Sequence, residues 1–283
     1  MTETFYVLNK RYDASDPRLG RHVRHDSRSL QYQVEAEPLS TLKSVRHLRH
    51  VPTFDQGNLG SCTGNASVGC VATGLFWPTV LPFNLTLDEP YAVGVYGDAT
   101  ALDSFKGTYP PDDTGSDGLS VAKVLQKRGL ISGYQHATSL EAVLTALSKS
   151  PVIVGTEWHG DMFNPVDGRL KITGEVQGGH EYVLDELDVE NKLIWMQNSW
   201  SDSWGRRGRA YFSWDDFGTL LDADGDCTVF TPLTQPAPTP APVPVADPKA
   251  DFLRAAQTWN EKRRKGENRH FQHALDTFLS WYA

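Results

Sequence analysis

The stretch Gln56-Gly57-Asn58-Leu59-Gly60-Ser61-Cys62-Thr63-Gly64-Asn65-Ala66 decides how the rest of this chain is read. It places a glutamine six residues before a cysteine, behind a turn carrying Gly57 and Gly60, and at the head of a run of small residues that continues through Gly69, Ala72 and Gly74. Glycine costs roughly 1 kcal/mol against alanine inside a helix, so propensity alone argues against a helix over 62–77. Close packing against neighbours is the reason to expect one. A cysteine at such a helix start lies at the positive end of the aligned peptide dipoles, which lowers a thiol pKa and favours a thiolate nucleophile. Gln56 offers an uncharged amide donor for a developing oxyanion, and the two glycines let another backbone come close.

A thiol nucleophile needs a base, and the base needs a group to orient it. Gly178-Gly179-His180-Glu181-Tyr182-Val183-Leu184 reads as a glycine turn running into a strand, with His180 at the strand's start. Ile194-Trp195-Met196-Gln197-Asn198 reads as a strand ending in Asn198, followed by the aromatic cluster Ser199-Trp200-Ser201-Asp202-Ser203-Trp204-Gly205. His159, after Glu157-Trp158, is a rival base without a nearby orienting motif. Gln, Cys, His and Asn in this order, with Gly-Ser-Cys early and Asn-Ser-Trp then Trp-Gly late, resemble the papain family of cysteine peptidases. The resemblance spans about residues 51–230, and three separated motifs in order carry far more than any one alone.

What the resemblance implies is an α+β, papain-like, two-lobed fold: a helical lobe plus an antiparallel β lobe, the active site between them. It implies Cys62 as nucleophile, His180 as base, Asn198 as the group that fixes the imidazole tautomer, and Gln56 with the Cys62 backbone N–H as oxyanion donors. Trp200 would shield the His180–Asn198 contact, and Gly118, Ser116, Gly179 and Trp200 make up the expected substrate-binding set. The chain departs from the family pattern at Thr63 and Gly64, in place of the usual aromatic and alanine, and at Gly179, where many relatives carry aspartate. Leu59 stands where secreted relatives carry a cysteine, which suggests a bacterial, archaeal or phage-type relative.

In chain order, residues 1–50 form a polar, basic N-terminal arm. It includes Arg18, Arg21, Arg24 and Arg28, and is read as wrapping an acidic body. It is short for an inhibitory prosegment, so processing by cleavage is not expected. His22/His25 and His47/His50 are read as solvated or hydrogen-bonded surface histidines rather than metal ligands. The peptidase-like domain is expected over 51–231. Helices are predicted over 88–102, with Asp88 as cap and Pro90 in the first turn, over 119–128 with Gly129 as stop, and over 139–149 capped by Ser139. Strands are predicted at 152–155, around Ile172, and at 181–187, 193–197 and 209–213. Asp222-Ala-Asp-Gly-Asp226 reads as an acidic turn, not a calcium loop. A Pro-rich linker over 232–248 leads to a helical hairpin over 249–283, whose apolar face calls for a docking partner: this chain's body, a second copy or another protein.

Composition bounds the function. At 283 residues with a net charge of −8, the chain is long enough for a sizeable core and is unsuited to nucleic acid. No apolar run approaches a bilayer span, no secretory leader opens the chain, and its three cysteines are too few for a disulfide framework. A cytoplasmic protein is therefore expected, free or incorporated in a virion or other large assembly, without metal or cofactor. The leading functional expectation is a cysteine endopeptidase acting on peptide or protein substrates and tethered by its C-terminal helices. The alternative is a structural or interaction protein that retains the fold, and a weaker third is a transferase or amidase using the same thioester.

Overall fold

The computed structural model describes residues 7–234, so the linker expected over 232–248 falls almost wholly, and the hairpin over 249–283 entirely, outside the described residues. The described chain opens with two short antiparallel strands, β1 (Val7–Lys10) and β2 (Val23–Asp26), and a two-residue strand, β3 (Val45–Arg46). The small-residue run becomes α1 (Cys62–Val71), followed after a short 3-10 turn by α2 (Trp77–Val80). The single helix expected over 62–77 therefore breaks, at Thr73 and the left-handed Gly74 (φ 57°). Next come α3 (Glu89–Thr100) and α4 (Gly118–Lys127). Asp88 and Asp117 cap them by accepting from the Tyr91 and Ser120 backbone N–H groups, and Gly129 stops α4 with φ of 71°.

The remaining elements are β4 (Gly133–His136), α5 (Leu140–Leu147, capped by Ser139), β5 (Val152–His159), β6 (Val176–Asp188), β7 (Leu193–Gln197), β8 (Arg209–Ser213), α6 (Trp214–Asp222) and β9 (Asp226–Thr231). Strands β4, β9, β5, β6, β7 and β8 lie side by side in that order, all antiparallel, with β3 added on β6. Two corrections concern strands. Ile172 lies in no strand. His180 sits in the interior of β6 rather than at its start, because the ladder with β5 runs back to Val176.

Two apolar cores lie on opposite faces of the sheet, and the strands' period of two assigns residues to each. Ile153 and Val183 join Val68, Val71, Ala92, Val95, Val121 and Leu125 in a helical core built on α1, α3 and α4. Val154, Tyr182 and Leu184 join Trp158, Ile194, Phe212 and Phe217 in the other. The glycine in the first turn of α1 explains why small residues form a helix here. A Cβ on Gly64 would lie 2.4 Å from the Ala92 carbonyl oxygen and 2.8 Å from the Tyr96 Cβ, so the α1–α3 approach admits no side chain. Two histidines expected on the surface are buried instead. The His22 and His47 rings meet the carbonyls of Thr114 (2.7 Å) and Leu147 (2.8 Å), which satisfies one polar atom of each inside the protein.

Candidate active site

Cys62 is the first residue of α1 and is fully buried. The loop before it is held on two sides. Asn65 Nδ2 donates to Glu89 Oε1 (2.6 Å), whose Oε2 accepts from the Asp55 backbone N–H (3.0 Å). Gln56 is tied to the other half of the site: its backbone N–H donates to the Ser199 carbonyl (2.9 Å), and its Oε1 accepts from Ser199 Oγ (2.6 Å). With the amide oxygen so occupied, the Gln56 NH₂ points away from Ser199, toward the Leu59 carbonyl (2.7 Å) and the Arg18 carbonyl (3.1 Å).

Alternation along β6 puts His180 on the face of Tyr182, and Glu181 on the opposite, helical side. His180 Nε2 donates to Asn198 Oδ1 at 2.7 Å, and that same oxygen accepts from the Ser199 backbone N–H (2.8 Å), so the carboxamide is fixed. The other imidazole nitrogen, Nδ1, is buried and has no hydrogen-bond partner. Trp158 and Trp200 each bring a ring to 4.8 Å from the imidazole, closing the His180–Asn198 pair from water. His159 is elsewhere, its Nδ1 against the Gly174 carbonyl at 3.1 Å.

The Cys62 and His180 ends share one neighbourhood, in which the amide of Glu181, the residue after His180, pulls the Cys62 thiol pKa down. A third segment crosses at the same place. The Arg21 N–H donates to the Gly179 carbonyl (3.0 Å), the His22 N–H to the Ser116 carbonyl (2.8 Å), and the Ser116 N–H to the Gly20 carbonyl (2.8 Å). Residues 20–22 of the arm thus form a bridge between the two sides of the cleft, parallel to both. Gly20 presses on the nucleophile loop so closely that a Cβ there would lie 1.9 Å from the Gly60 carbonyl oxygen. The Arg18 guanidinium covers Trp200 at 4.2 Å from the ring centroid and is held by Asp16 Oδ1 and Oδ2 (2.9 and 2.8 Å).

Burial reverses the expected ionisation. Burial pushes the Cys62 thiol up to about 12; the Glu181, Gly20 and Thr63 amides pull the other way and lose. Burial likewise brings His180 down to about 4, against the Asn198 bond that favours its charged form. The helix terminus expected to lower the thiol pKa is in place, but desolvation outweighs it.

The structure brings Cys62, His180, Asn198, Gln56, Ser116, Gly179 and Trp200 to one cleft. Ser116 and Gly179 offer backbone groups to the segment lying there. Gly118 lies one step deeper, at the start of α4, where a Cβ would lie 2.9 Å from Glu181 Oε1. Three participants were missed from the sequence: Arg21, Glu181 and Asp226. Glu181 carried a signal, a carboxylate inside an otherwise apolar strand. Arg21 was one basic residue among many, and Asp226 was read as part of an acidic turn although it opens β9. Among the described residues no cluster of metal-ligating side chains occurs, and no helix is long and apolar enough to cross a membrane.

The chain is similar in structure to xylellain, a cysteine protease from Xylella fastidiosa, at 16% identity and a TM-score of 0.61, over 81% of this chain and 100% of that one. It also matches procathepsin L 3 of the Tenebrio molitor larval midgut (13% identity, TM-score 0.49, 78% of this chain and 76% of that one). A third match is the bromelain protease from Ananas comosus in complex with the E64 inhibitor (13%, TM-score 0.46, 67% and 100%). The fold assignment rests on the first of these: the described residues have the papain-like fold, helices on one side and an antiparallel sheet on the other. No family model matches the chain, and no curated protein does.

Proposed function

We propose that this chain is a cysteine peptidase that hydrolyses peptide bonds through a thioester. One observation carries the reading. His180 spends Nε2 on Asn198 at 2.7 Å and keeps Nδ1 buried and unpartnered, and the amide of its neighbour Glu181 lowers the pKa of a thiol at the start of a helix. An imidazole oriented on one nitrogen and free on the other is what a general base requires.

In the proposed reaction the arm first leaves the cleft, which returns water and ordinary ionisation to both groups. His180 Nδ1 then takes the Cys62 proton, and Sγ attacks the substrate carbonyl carbon. The carbonyl electrons move onto oxygen, where the Gln56 NH₂ and the Cys62 backbone N–H receive them. The tetrahedral intermediate collapses with cleavage of the C–N bond, and the proton on His180 goes to the departing amine. Water, deprotonated by the same ring, then cleaves the thioester and restores the thiol. Ser116 and Gly179 hold the substrate backbone with the groups that now hold the arm.

The test is hydrolysis of a mixed peptide library by the purified chain, with Cys62→Ala as control. Cleavage that survives the substitution, or no cleavage by a chain whose Cys62 reacts freely with a peptide epoxide, sinks the proposal. The closed, neutral state of the thiol and imidazole favours a second reading, an interaction protein that keeps the fold without turnover; the same assay separates the two. Tethering through residues 249–283 belongs to either reading. Size-exclusion chromatography of a chain ending at Thr231 tests it, since unchanged assembly and partner binding rule out that segment as the connector.

A further inference from the structure

Glu181, Gly155 and Asp226 are direct partners across three adjacent strands, Glu181 opposite Gly155 on β6–β5 and Gly155 opposite Asp226 on β5–β9. Directly opposed residues of a sheet project from the same face. The row therefore presents two carboxylates with no side chain between them, on the side facing the start of α4. A Cβ on Gly155 would fall 2.5 Å from Glu181 Oε2, and one on Gly118, across the gap, 2.9 Å from Glu181 Oε1 and 3.4 Å from Asp226 Oδ1. Two missing side chains thus make a slot, and two carboxylates line it.

Arg21 fills that slot. Its side chain is 0% exposed, and its Nη2 donates to Asp226 Oδ2 (2.6 Å) and the Asp224 carbonyl (2.8 Å). The fit is incomplete. Arg21 Nε and Nη1 have no hydrogen-bond partner, and neither do Glu181 Oε1, Glu181 Oε2 and Asp226 Oδ1. A buried ion pair serving as a permanent strut satisfies its donors and acceptors, because each one left open keeps its full desolvation cost. Here three buried acceptor atoms of an acidic slot stay open around a cation delivered by the segment that crosses the cleft. Arg24, at 3.7 Å from Asp117, neutralises the third nearby carboxylate, so Glu181 and Asp226 are the two that a visiting cation must answer.

We infer that the Glu181–Gly155–Asp226 slot is the specificity pocket of the cleft, that it selects an arginine or lysine side chain of a peptide substrate, and that Arg21 is its resident stand-in. The inference rests on the peptidase reading for the word substrate, and on the slot itself for the choice of side chain. Position follows from the arm: Gly20 lies over the nucleophile loop and Arg21 is its neighbour, so the pocket takes the side chain one residue removed from the one over the thiol. A neutral side chain of the same length leaves Glu181 and Asp226 facing each other without a counter-charge, and that penalty is the source of discrimination.

The experiment uses the full chain and dipeptidyl chloromethyl ketones with arginine or its neutral isostere citrulline at that position; mass spectrometry follows the thioether formed as Cys62 Sγ displaces chloride. The arginine reagent is expected to label Cys62 about 100-fold faster than the citrulline one. In a Glu181→Gln, Asp226→Asn chain with native circular dichroism the ratio is expected to fall below about tenfold; if that double variant does not fold, Glu181→Gln alone is expected to lower the ratio. Equal rates for the two reagents overturn the inference. So does Cys62 that reacts with iodoacetamide but with neither peptidyl reagent, or with no reagent at all, since Arg21 is then a fixed strut. Arginine-selective labelling without any peptide hydrolysis keeps the pocket and removes the peptidase reading, so the two failures are distinguishable.

Discussion

Substituting Gly20 by alanine is the most direct perturbation of the covered cleft. The added Cβ would lie 1.9 Å from the Gly60 carbonyl oxygen, 2.5 Å from the Gly60 carbonyl carbon and 2.6 Å from its Cα. All three are backbone atoms, and Gly60 is held in place by its N–H donating to Asp113 Oδ2 at 2.9 Å. Neither side yields by rotating a side chain, so the arm has to lift. Lifting breaks the hydrogen bonds from Arg21 to Gly179, from His22 to Ser116 and from Ser116 to Gly20. At about 1 kcal/mol net for each, seating of the arm weakens by about 3 kcal/mol, roughly a 100-fold rise in the uncovered population. Alkylation by iodoacetamide at pH 7.5, followed by mass spectrometry at each cysteine, measures this. Under the arm the thiol has a pKa of about 12 and hardly ionises. Cys62 in Gly20→Ala is expected to react about 100-fold faster than in the parent chain. Cys70 and Cys227, both buried, serve as internal controls and should not change. An unchanged Cys62 rate in a folded variant refutes the reasoning, and a parallel rise at all three cysteines shows general loosening instead of arm release.

Asn198→Ala leaves His180 Nε2 buried without its acceptor, at a cost of about 1–3 kcal/mol. The turnover of a cleaved peptide is then expected to drop roughly 10- to 100-fold with little change in KM, and an unaltered kcat removes Asn198 from the proposed mechanism. His22 ties pH to the seating of the arm: it accepts from the Tyr12 N–H (3.3 Å), faces the Thr114 carbonyl and lies 4.7 Å from the Phe105 ring. Burial lowers its pKa to about 4, with Arg11 and Arg21 acting in the same direction. The seated arm thus binds fewer protons than the free one, and seating weakens as pH falls from about 6.5 towards 4, by at most about 2 kcal/mol at pH 5. Hydrogen exchange at the Arg21 and His22 amides, corrected for intrinsic rates, should quicken over that range in the parent chain and less in His22→Gln; equal profiles count against the linkage. Trp158→Ala removes a fully buried ring that touches Phe163, His180, Tyr182, Trp200 and Trp204. About 3–5 kcal/mol of stability should be lost in urea denaturation, and a loss under 1 kcal/mol contradicts the packing described.

The parts of the fold written in local chemistry were legible in the sequence. Asp88 with Pro90, Ser139, and Gly129 after an apolar helical face each mark a helix end by a mechanism confined to a few residues, and the helices lie there. So do the strands at 193–197 and 209–213, where β-rich runs sit between turn residues. What escaped were elements set by distant partners. β4 and β9 pair with each other across nearly a hundred residues of chain (Gly133 with Thr231), and neither carries a clean alternation. The expected strand at Ile172 fails for the converse reason, an apolar residue with no ladder to join. In the cleft, residue types and their order pointed to Cys62, His180, Asn198 and Gln56, because that chemistry is visible in single letters. The pocket was invisible because it consists partly of absences. Gly155 and Gly118 matter through the Cβ atoms they lack, and only the strand register shows that Glu181 and Asp226 flank the first of them.

The same register shows how the arm spends its carbonyls as it crosses the cleft. On the proposed mechanism one carbonyl must do two things at once: offer its carbon to Sγ and its oxygen to the Gln56 NH₂. Two of the arm's carbonyls are already committed. The carbonyl at the Gln56 amide belongs to Arg18. The Gly20 amide pulls the thiol pKa down, against the larger effect of burial. Gly20 turns its own carbonyl away, to the Ser116 N–H. The arm therefore occupies the backbone groups of the cleft and its acidic slot, with its Arg18 and Gly20 carbonyls each spent on one donor. A competing peptide that supplies both a cation for the slot and a correctly placed carbonyl gains from each feature the arm only partly satisfies. Arginine at the pocket position should accordingly speed the uncovering of Cys62 as well as its reaction, and a citrulline peptide should do neither.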